Sequence, residues 1–462
     1  MRIGWHDLGT RHVDAADGRL VEITGFPVSP HPARRSDHFM LVAEPGCCAG
    51  CAPCDPLAAI EVFAATPLPM QAGALRLTGA WRVLRDDPAG ARYHLTAART
   101  AEPVGWSGIT RRAALFAGPL VCFASGVAKA DTSPPAVRSV LEATPAIDLH
   151  SHAGGIASPK NIRSHSALGD VAEPMKVGGM AVACLAVVSD GPTHILMPDG
   201  RLHPFREPNP GELYAYGQQA FARVLGMVHD QGLALIMDTA GLRAARAGRP
   251  SAIIAAEGAD FLEGQVDRVD EAYAKWHLRH LQLTHYRVNE LGDIQTEAPV
   301  HNGLTDTGAE VIRRCNRLGI VVDVAHATYP MVVRAAAVTT KPMVLSHTSF
   351  SRQPSARSRL ISAEHAKVVA GTGGVIGVWP PVTIFSSLPA LAAGMARMVD
   401  VVGIDHVGLG SDMRGLPHGS IFPDYDSLPG LTEALLDLGF SAQDAGKLLG
   451  GNYARVFAAT MG

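Results

Sequence analysis

From residue 135 to the C-terminus, hydrophobic positions cluster in short runs, each closing on a polar residue or a tryptophan. The runs cover 146–152, 180–190, 252–257, 278–285, 320–326, 343–347, 375–379 and 407–412. Apolar runs of this length with little alternation are what strands buried on both faces require. Between most of them the period changes to that of an amphipathic helix, as at 331–338, at 363–370 and at 307–317, which stops at Leu318-Gly319. Eight apolar strands alternating with helices predict an α/β fold, a closed parallel (β/α)8 TIM barrel over residues 135–462. In that architecture the C-terminal strand ends open on one rim, so the polar residues ending the runs converge there.

Residues 1–105 follow a different pattern. Short alternating segments at 19–23, 38–42, 75–77 and 92–95, separated by Gly, Pro and Asp-Asp clusters, predict a small β-rich N-terminal domain, barrel or sandwich, of unassigned role. Within it stand Cys47, Cys48, Cys51 and Cys54, four of the seven cysteines. Thiolates at this spacing can ligate a soft metal or exchange disulfides, although adjacent Cys47 and Cys48 do not easily reach one tetrahedral ion. Inert, metal-binding and redox readings of the cluster all stay open.

Residues 106–134 form a third segment. Arg111-Arg112, an uncharged stretch over 113–128 and Ala128-Lys129-Ala130 together resemble a twin-arginine export signal with its cleavage site, but at an internal position. The uncharged stretch has 16 residues and includes Gly118, Pro119 and Gly126. A spanning helix needs roughly 20. Three readings follow: an export signal behind a small fused domain, a membrane association through 111–128, or a plain linker. A periplasmic or inner-membrane-associated location is expected, with the cytoplasm as the alternative.

Charge narrows the classes of partner. With 40 Lys+Arg against 43 Asp+Glu the formal charge is −3, so the basic field that nucleic-acid binding needs is absent. Seven cysteines in 462 residues do not make a disulfide scaffold. The compositional oddity is histidine, at 20 residues.

Placement turns that excess into chemistry. His150, His152, Glu257, His285, His326, His347 and Asp412 all stand at run ends. Imidazole and carboxylate are the ligand set for zinc and similar divalent ions, and a catalytic site keeps a position open for water. His150 and His152, at i and i+2 of a strand, point to the same side. A lone histidine is ordinarily a satisfied core or surface residue, but five at the ends of four strands point to a metal site. His165, His194, His203 and His301, in loops near Pro or Gly, read first as surface residues, with lining of the rim as the alternative. Asp190 reads equally as a substrate contact or a helix N-cap, and Asp323 as a buried polar anchor.

Over residues 140–460 the chain resembles the membrane (renal) dipeptidase family, zinc metallopeptidases of the amidohydrolase superfamily. The resemblance rests on ordered blocks: Ile147-Asp148-Leu149-His150-Ser151-His152, Ala256-Glu257-Gly258, Leu283-Thr284-His285, the block ending Val324-Ala325-His326, Leu345-Ser346-His347-Thr348-Ser349, Gly408-Leu409-Gly410-Ser411-Asp412 and Gly451-Asn452-Tyr453-Ala454-Arg455. Two positions depart from the family pattern. His152 stands where the family usually has Asp, and Arg359 is followed by Leu360 where Asn is usual, with Arg357 as a close alternative.

The resemblance implies a metallo-dipeptidase, a hydrolase that attacks the peptide bond with a metal-bridging hydroxide. It implies two zinc ions, one held by His150, His152 and Glu257 and the other by Glu257, His326 and His347. Asp412 would be the general acid and base, His285 the oxyanion stabiliser, and Arg359 the grip on the carboxylate of a small dipeptide. A homodimer is the assembly expected. The alternatives are another amidohydrolase reaction on a lactam, lactone or cyclic amide, and a catalytically silent metal-binding module.

Overall fold

The computed structural model describes residues 134–461 apart from 165, 198–200 and 351–356, and, nearer the N-terminus, 16–28, 35–42, 59–69, 75–83 and 93–100 with Ile3, Trp5, Leu8 and Val13. The cysteines at 47–54 and the segment 111–128 lie outside the described residues. The chain divides into two compact units, Met1–Lys129 and Ala130–Gly462.

In the first unit, β1 (Leu20–Val28), β2 (Arg35–Val42), β3 (Ala59–Pro69), β4 (Leu75–Val83) and β5 (Tyr93–Thr100) form a closed barrel in the order β1-β2-β3-β5-β4. β3 and β5 run parallel, and the remaining pairings are antiparallel. Alternate residues such as Val21, Ile23, Phe39, Leu41, Ile60 and Val62 fill its core, the period-two pattern expected of strands with one buried face. Trp81 stacks on Tyr93 with ring centroids 5.0 Å apart.

The second unit holds β6 (Ala146–Ser151), β7 (Met180–Val188), β8 (His194–Leu196), β9 (Leu202–Pro204), β10 (Ala234–Leu235), β11 (Ser251–Glu257), β12 (Leu278–Gln282), β13 (Val321–Asp323), β14 (Val344–Thr348), β15 (Val375–Val378) and β16 (Val407–Leu409). Parallel pairing runs β11-β12-β13-β14-β15-β16-β6-β7 and closes through β7 on β11, so the predicted (β/α)8 barrel is present. β10 adds a short strand beside β11, and β8 and β9 form a separate hairpin. Every residue of β7 and β11 is buried, which accounts for their unbroken apolar runs. Helix ends follow local chemistry. Helix Asp306–Leu318 starts at Thr305, whose hydroxyl accepts from the Gly308 N–H, and stops at Gly319 in the left-handed conformation at φ 78.

Two buried aspartates brace the strand ends that carry histidines. Asp148 accepts from the Ser411 N–H at 2.8 Å, the Ser411 hydroxyl at 2.5 Å and the Tyr425 hydroxyl at 3.1 Å, joining β6 to the end of β16. Asp323 accepts from the backbone N–H of Ala325 at 2.9 Å and of Ser346 at 3.0 Å, one residue ahead of His326 and His347. Its second oxygen lies 3.1 Å from His280 Nε2, and His280 Nδ1 lies 2.9 Å from the Tyr453 hydroxyl of the C-terminal helix. Strand packing there is close enough to require glycine. A Cβ at Gly377 or at Gly410 would lie 1.8 Å from the Ser346 carbonyl oxygen.

Candidate active site

At the rim, five imidazoles converge on one carboxylate. Glu257 ends β11 with Oε1 at 3.4 Å from His150 Nε2 and 3.3 Å from both His326 Nε2 and His347 Nε2. Its Oε2 is 3.1 Å from His152 Nε2 and 3.2 Å from His285 Nε2. Asp412 Oδ1 closes the ring at 3.3 Å from His152 Nε2. All seven residues are buried, and all lie at or just beyond the C-terminal ends of β6, β11, β12, β13, β14 and β16. His326 and Asp412 are reached by left-handed backbone, φ 67 and φ 46, a conformation that costs energy for residues other than glycine and gathers at functional sites.

This cluster has the chemistry of a metal centre. Burial opposes a charge on His152, yet the Glu257 and Asp412 carboxylates outweigh it and lift its pKa to about 10. Burial likewise opposes ionisation of Glu257, but His285, His150 and His152 hold it well below the usual carboxylate range. His326 and His347 are kept neutral, by burial first and by the charges of Arg359 and His150 next. A positive charge is therefore favoured between Glu257 and Asp412, facing imidazoles that keep their lone pairs. Nε2 atoms approach within 3.2 Å for His150 and His152 and within 3.1 Å for His326 and His347. For the neutral pair His326 and His347, lone pairs at such spacing suit a shared cation better than a shared proton. The supporting contacts agree: His152 Nδ1 donates to the Ala186 carbonyl at 2.8 Å, which turns Nε2 inward, and the Ser346 hydroxyl is 2.9 Å from His347 Nδ1.

The cluster opens into a cavity of about 410 Å3 whose wall includes Tyr286, Arg359, Trp379 and His194. Arg359 is half-buried in that wall, donating to Gln295 Oε1 at 2.9 Å and lying 5.2 Å from the Trp379 ring centroid. Its Nε has no partner among the described residues. Arg357, by contrast, is exposed and does not line the cavity. Asp190 is neither an N-cap nor a cavity residue. It is fully buried, and its Oδ1 accepts from His285 Nδ1 at 2.7 Å while Oδ2 accepts from the Tyr286 N–H at 3.0 Å. His285 and His194 overcome the effect of burial and keep Asp190 ionised far below the usual range.

Residues 214–461 match the family model for membrane dipeptidase, peptidase family M19. The chain belongs to the membrane dipeptidase family. A metal cofactor follows from that membership. Among similar family members, the dipeptidase aclJ of Aspergillus oryzae is 32% identical over 221 residues, 45% of this chain and 51% of that protein. The dipeptidase tcpJ of Claviceps purpurea is 30% identical over 231 residues, 46% of this chain and 52% of that protein. The chain thus spans about half the length of the curated relatives it matches. A solved metallopeptidase from Rhodobacter sphaeroides, liganded with a phosphinate mimic of the dipeptide L-Ala-D-Ala, superposes with a TM-score of 0.57 at 20% identity, over 69% of this chain and 99% of that one. At that identity the likeness concerns the fold.

The structure thus gathers His150, His152, Glu257, His285, His326, His347 and Asp412 in one centre, with Arg359 on the wall of the same cavity. For His194 the rim alternative holds over the surface reading, since it lines the cavity with its side chain 10% exposed. Tyr286, Gln295 and Trp379 were not singled out from sequence. For Trp379 a signal existed, since it ends one of the apolar runs; for Gln295, in a loop between β12 and β13, none did.

Proposed function

We propose that this member of the membrane dipeptidase family hydrolyses the peptide bond of dipeptides with two zinc ions, one held by His150, His152 and Glu257 and the second by Glu257, His326 and His347. The observation that carries the reading is Glu257, whose two oxygens face five imidazole nitrogens at 3.1–3.4 Å. When bound, the ions supply Lewis acidity and lower the pKa of a coordinated water toward neutrality.

The chain's own residues do the rest. Asp412, on the cavity wall beside His152, accepts the proton of the attacking water and returns it to the leaving amine, the general acid and base role. His285, with Nδ1–H donated to Asp190 and Nε2 turned toward Glu257 and the cavity, acts as the imidazolium and donates from Nε2–H to the oxygen that becomes negative as the carbonyl is attacked. Arg359 offers a half-buried guanidinium on the cavity wall, with an Nε that has no partner among the described residues, suited to the free carboxylate of the substrate. Tyr286 and Trp379 cover apolar surface and exclude water, and a cavity of about 410 Å3 suits a molecule of dipeptide size. An acidic first-strand ligand would bring a second negative charge, and His152 brings none. The centre therefore carries less negative charge than the usual family pattern.

The test is a hydrolysis screen of the purified chain, supplied with zinc, over dipeptides with L- and D-residues in the second position, beside lactams and lactones. Dipeptide turnover that chelation abolishes and zinc restores is expected. Turnover of lactams or lactones alone would sink the reading.

A further inference from the structure

Asp190 is a fully buried carboxylate beside the centre that has no part in the chemistry proposed above and contacts a site imidazole directly. It stands two residues beyond the end of β7, in a turn fixed from both sides. The Ser189 N–H donates to the Glu257 carbonyl at 3.0 Å, and the Ser189 hydroxyl donates to the Gly258 carbonyl at 2.7 Å. The Thr193 N–H closes the turn onto the Asp190 carbonyl at 2.9 Å. The carboxylate is thus anchored to the strand that carries Glu257.

From that anchor Asp190 holds His285 in two ways. Oδ1 accepts from the ring at Nδ1, and Oδ2 accepts from the backbone N–H of the following residue, Tyr286. One contact sets the ring's rotation and the other sets the position of the chain that carries it. The ring is further bounded by Tyr286 at 4.6 Å and His326 at 4.7 Å between centroids. With Nδ1 occupied, only Nε2 faces Glu257 and the cavity. Asp190 does not line the cavity, so its influence on the reaction passes through the cavity residues it contacts, of which His285 at 2.7 Å is the nearest. His194, whose Nδ1 lies 3.3 Å from the same Oδ1, does line it.

We propose that Asp190 is a positioning residue for the reaction, fixing the His285 ring so that Nε2 meets the developing oxyanion. The proposal rests on the dipeptidase reading of the site. An imidazole aimed before substrate arrives costs no reorganisation in the transition state, whereas a ring free to turn presents its donor only part of the time. The contribution should therefore appear in kcat and leave KM and metal content unchanged.

The experiment is a double-mutant cycle on the zinc-loaded full chain, with kcat and KM measured for a cleaved dipeptide in the wild type, Asp190→Asn, His285→Ala and the double variant. Asp190→Asn should lower kcat about 10–100-fold, with zinc content and melting temperature retained, and should cost nothing further in the His285→Ala background. An equal loss in both backgrounds, or undiminished kcat in Asp190→Asn, overturns the proposal. Wild-type protein that turns over no dipeptide sinks the dipeptidase reading and this role with it, whereas active wild type with an undiminished Asp190→Asn variant sinks only the role of Asp190. Should the variant not fold, nitrogen NMR of the wild type reads the same contact: Nδ1 of His285 must carry a proton held by hydrogen bonding, and an unprotonated Nδ1 overturns it.

Discussion

Asp412 projects from left-handed backbone at φ 46, with its N–H bonded to the His150 carbonyl at 2.9 Å. Such a conformation costs about 1–3 kcal/mol and persists only where the surroundings impose it. A strained residue at the mouth of a metal-type cluster, 3.3 Å from His152, suits a proton carrier. Asp412→Asn keeps the shape and removes the basicity, so kcat should fall about 10²–10⁴-fold while bound metal, measured on the same sample, stays near the wild-type amount. Arg359 makes a separable prediction. Charge-assisted hydrogen bonds contribute about 1.5–3 kcal/mol, so Arg359→Ala should raise KM roughly 10–100-fold for dipeptides with a free carboxylate and leave their amides almost unaffected. Equal effects on both substrates would remove the carboxylate grip. Histidines at run ends were legible in sequence because a parallel barrel puts every strand end on one rim. Asp190 was not, because its partners His285 and Tyr286 are 95 and 96 residues away, and no local spacing announces that contact.

At the level of elements, the barrel strands were readable because burial on both faces leaves most of them, β7 (MAVACLAVV) above all, as apolar runs; β12, LRHLQ, buries Arg279, His280 and Gln282 among its leucines. In the N-terminal unit β3 escaped notice, since its sequence, AIEVFAATPLP, mixes alanines and two prolines instead of alternating cleanly. Helix Ala363–Gly371 carries a less visible property. Its His365 is buried, with Nε2 unpartnered among the described residues, and burial together with the nearby Arg359 charge lowers its pKa to about 4. The folded state therefore binds the proton more weakly than the unfolded chain, whose histidine titrates near 6.5. Its neutral form supports stability above that pH, and the support is lost as pH falls from 6.5 to about 4, by at most about 3 kcal/mol. Urea melts at pH 7 and pH 4.5 should show a smaller acid loss in His365→Leu than in the wild type. An identical loss in both would assign the acid sensitivity elsewhere.

For the whole molecule, metal content is the quantity that unites the parts. About two equivalents of zinc per chain are expected, and the fold should lean on them. Binding to the native state alone stabilises by about 4 kcal/mol when free ligand is about a thousandfold above Kd, so chelation should lower the melting temperature and added zinc restore it. Purified chain that takes up no divalent ion would remove the binuclear reading. Among the described residues no helix is long and apolar enough to cross a membrane. The glycines at 377 and 410 reach furthest in their consequence. Both strands approach the Ser346 carbonyl so closely that even a methyl group has no room, and Gly377→Ala or Gly410→Ala should cost about 1–3 kcal/mol or more, read as a lower urea midpoint. The cavity wall also includes loop residues such as Pro381, Thr383, Arg414 and Leu416. Evolvability is therefore unevenly distributed around this barrel: the two glycines beside His347 admit no side chain, while the loop positions beyond Trp379 and Asp412 can be rewritten. A library intended to change substrate range should leave 377 and 410 untouched and place its diversity in those loops.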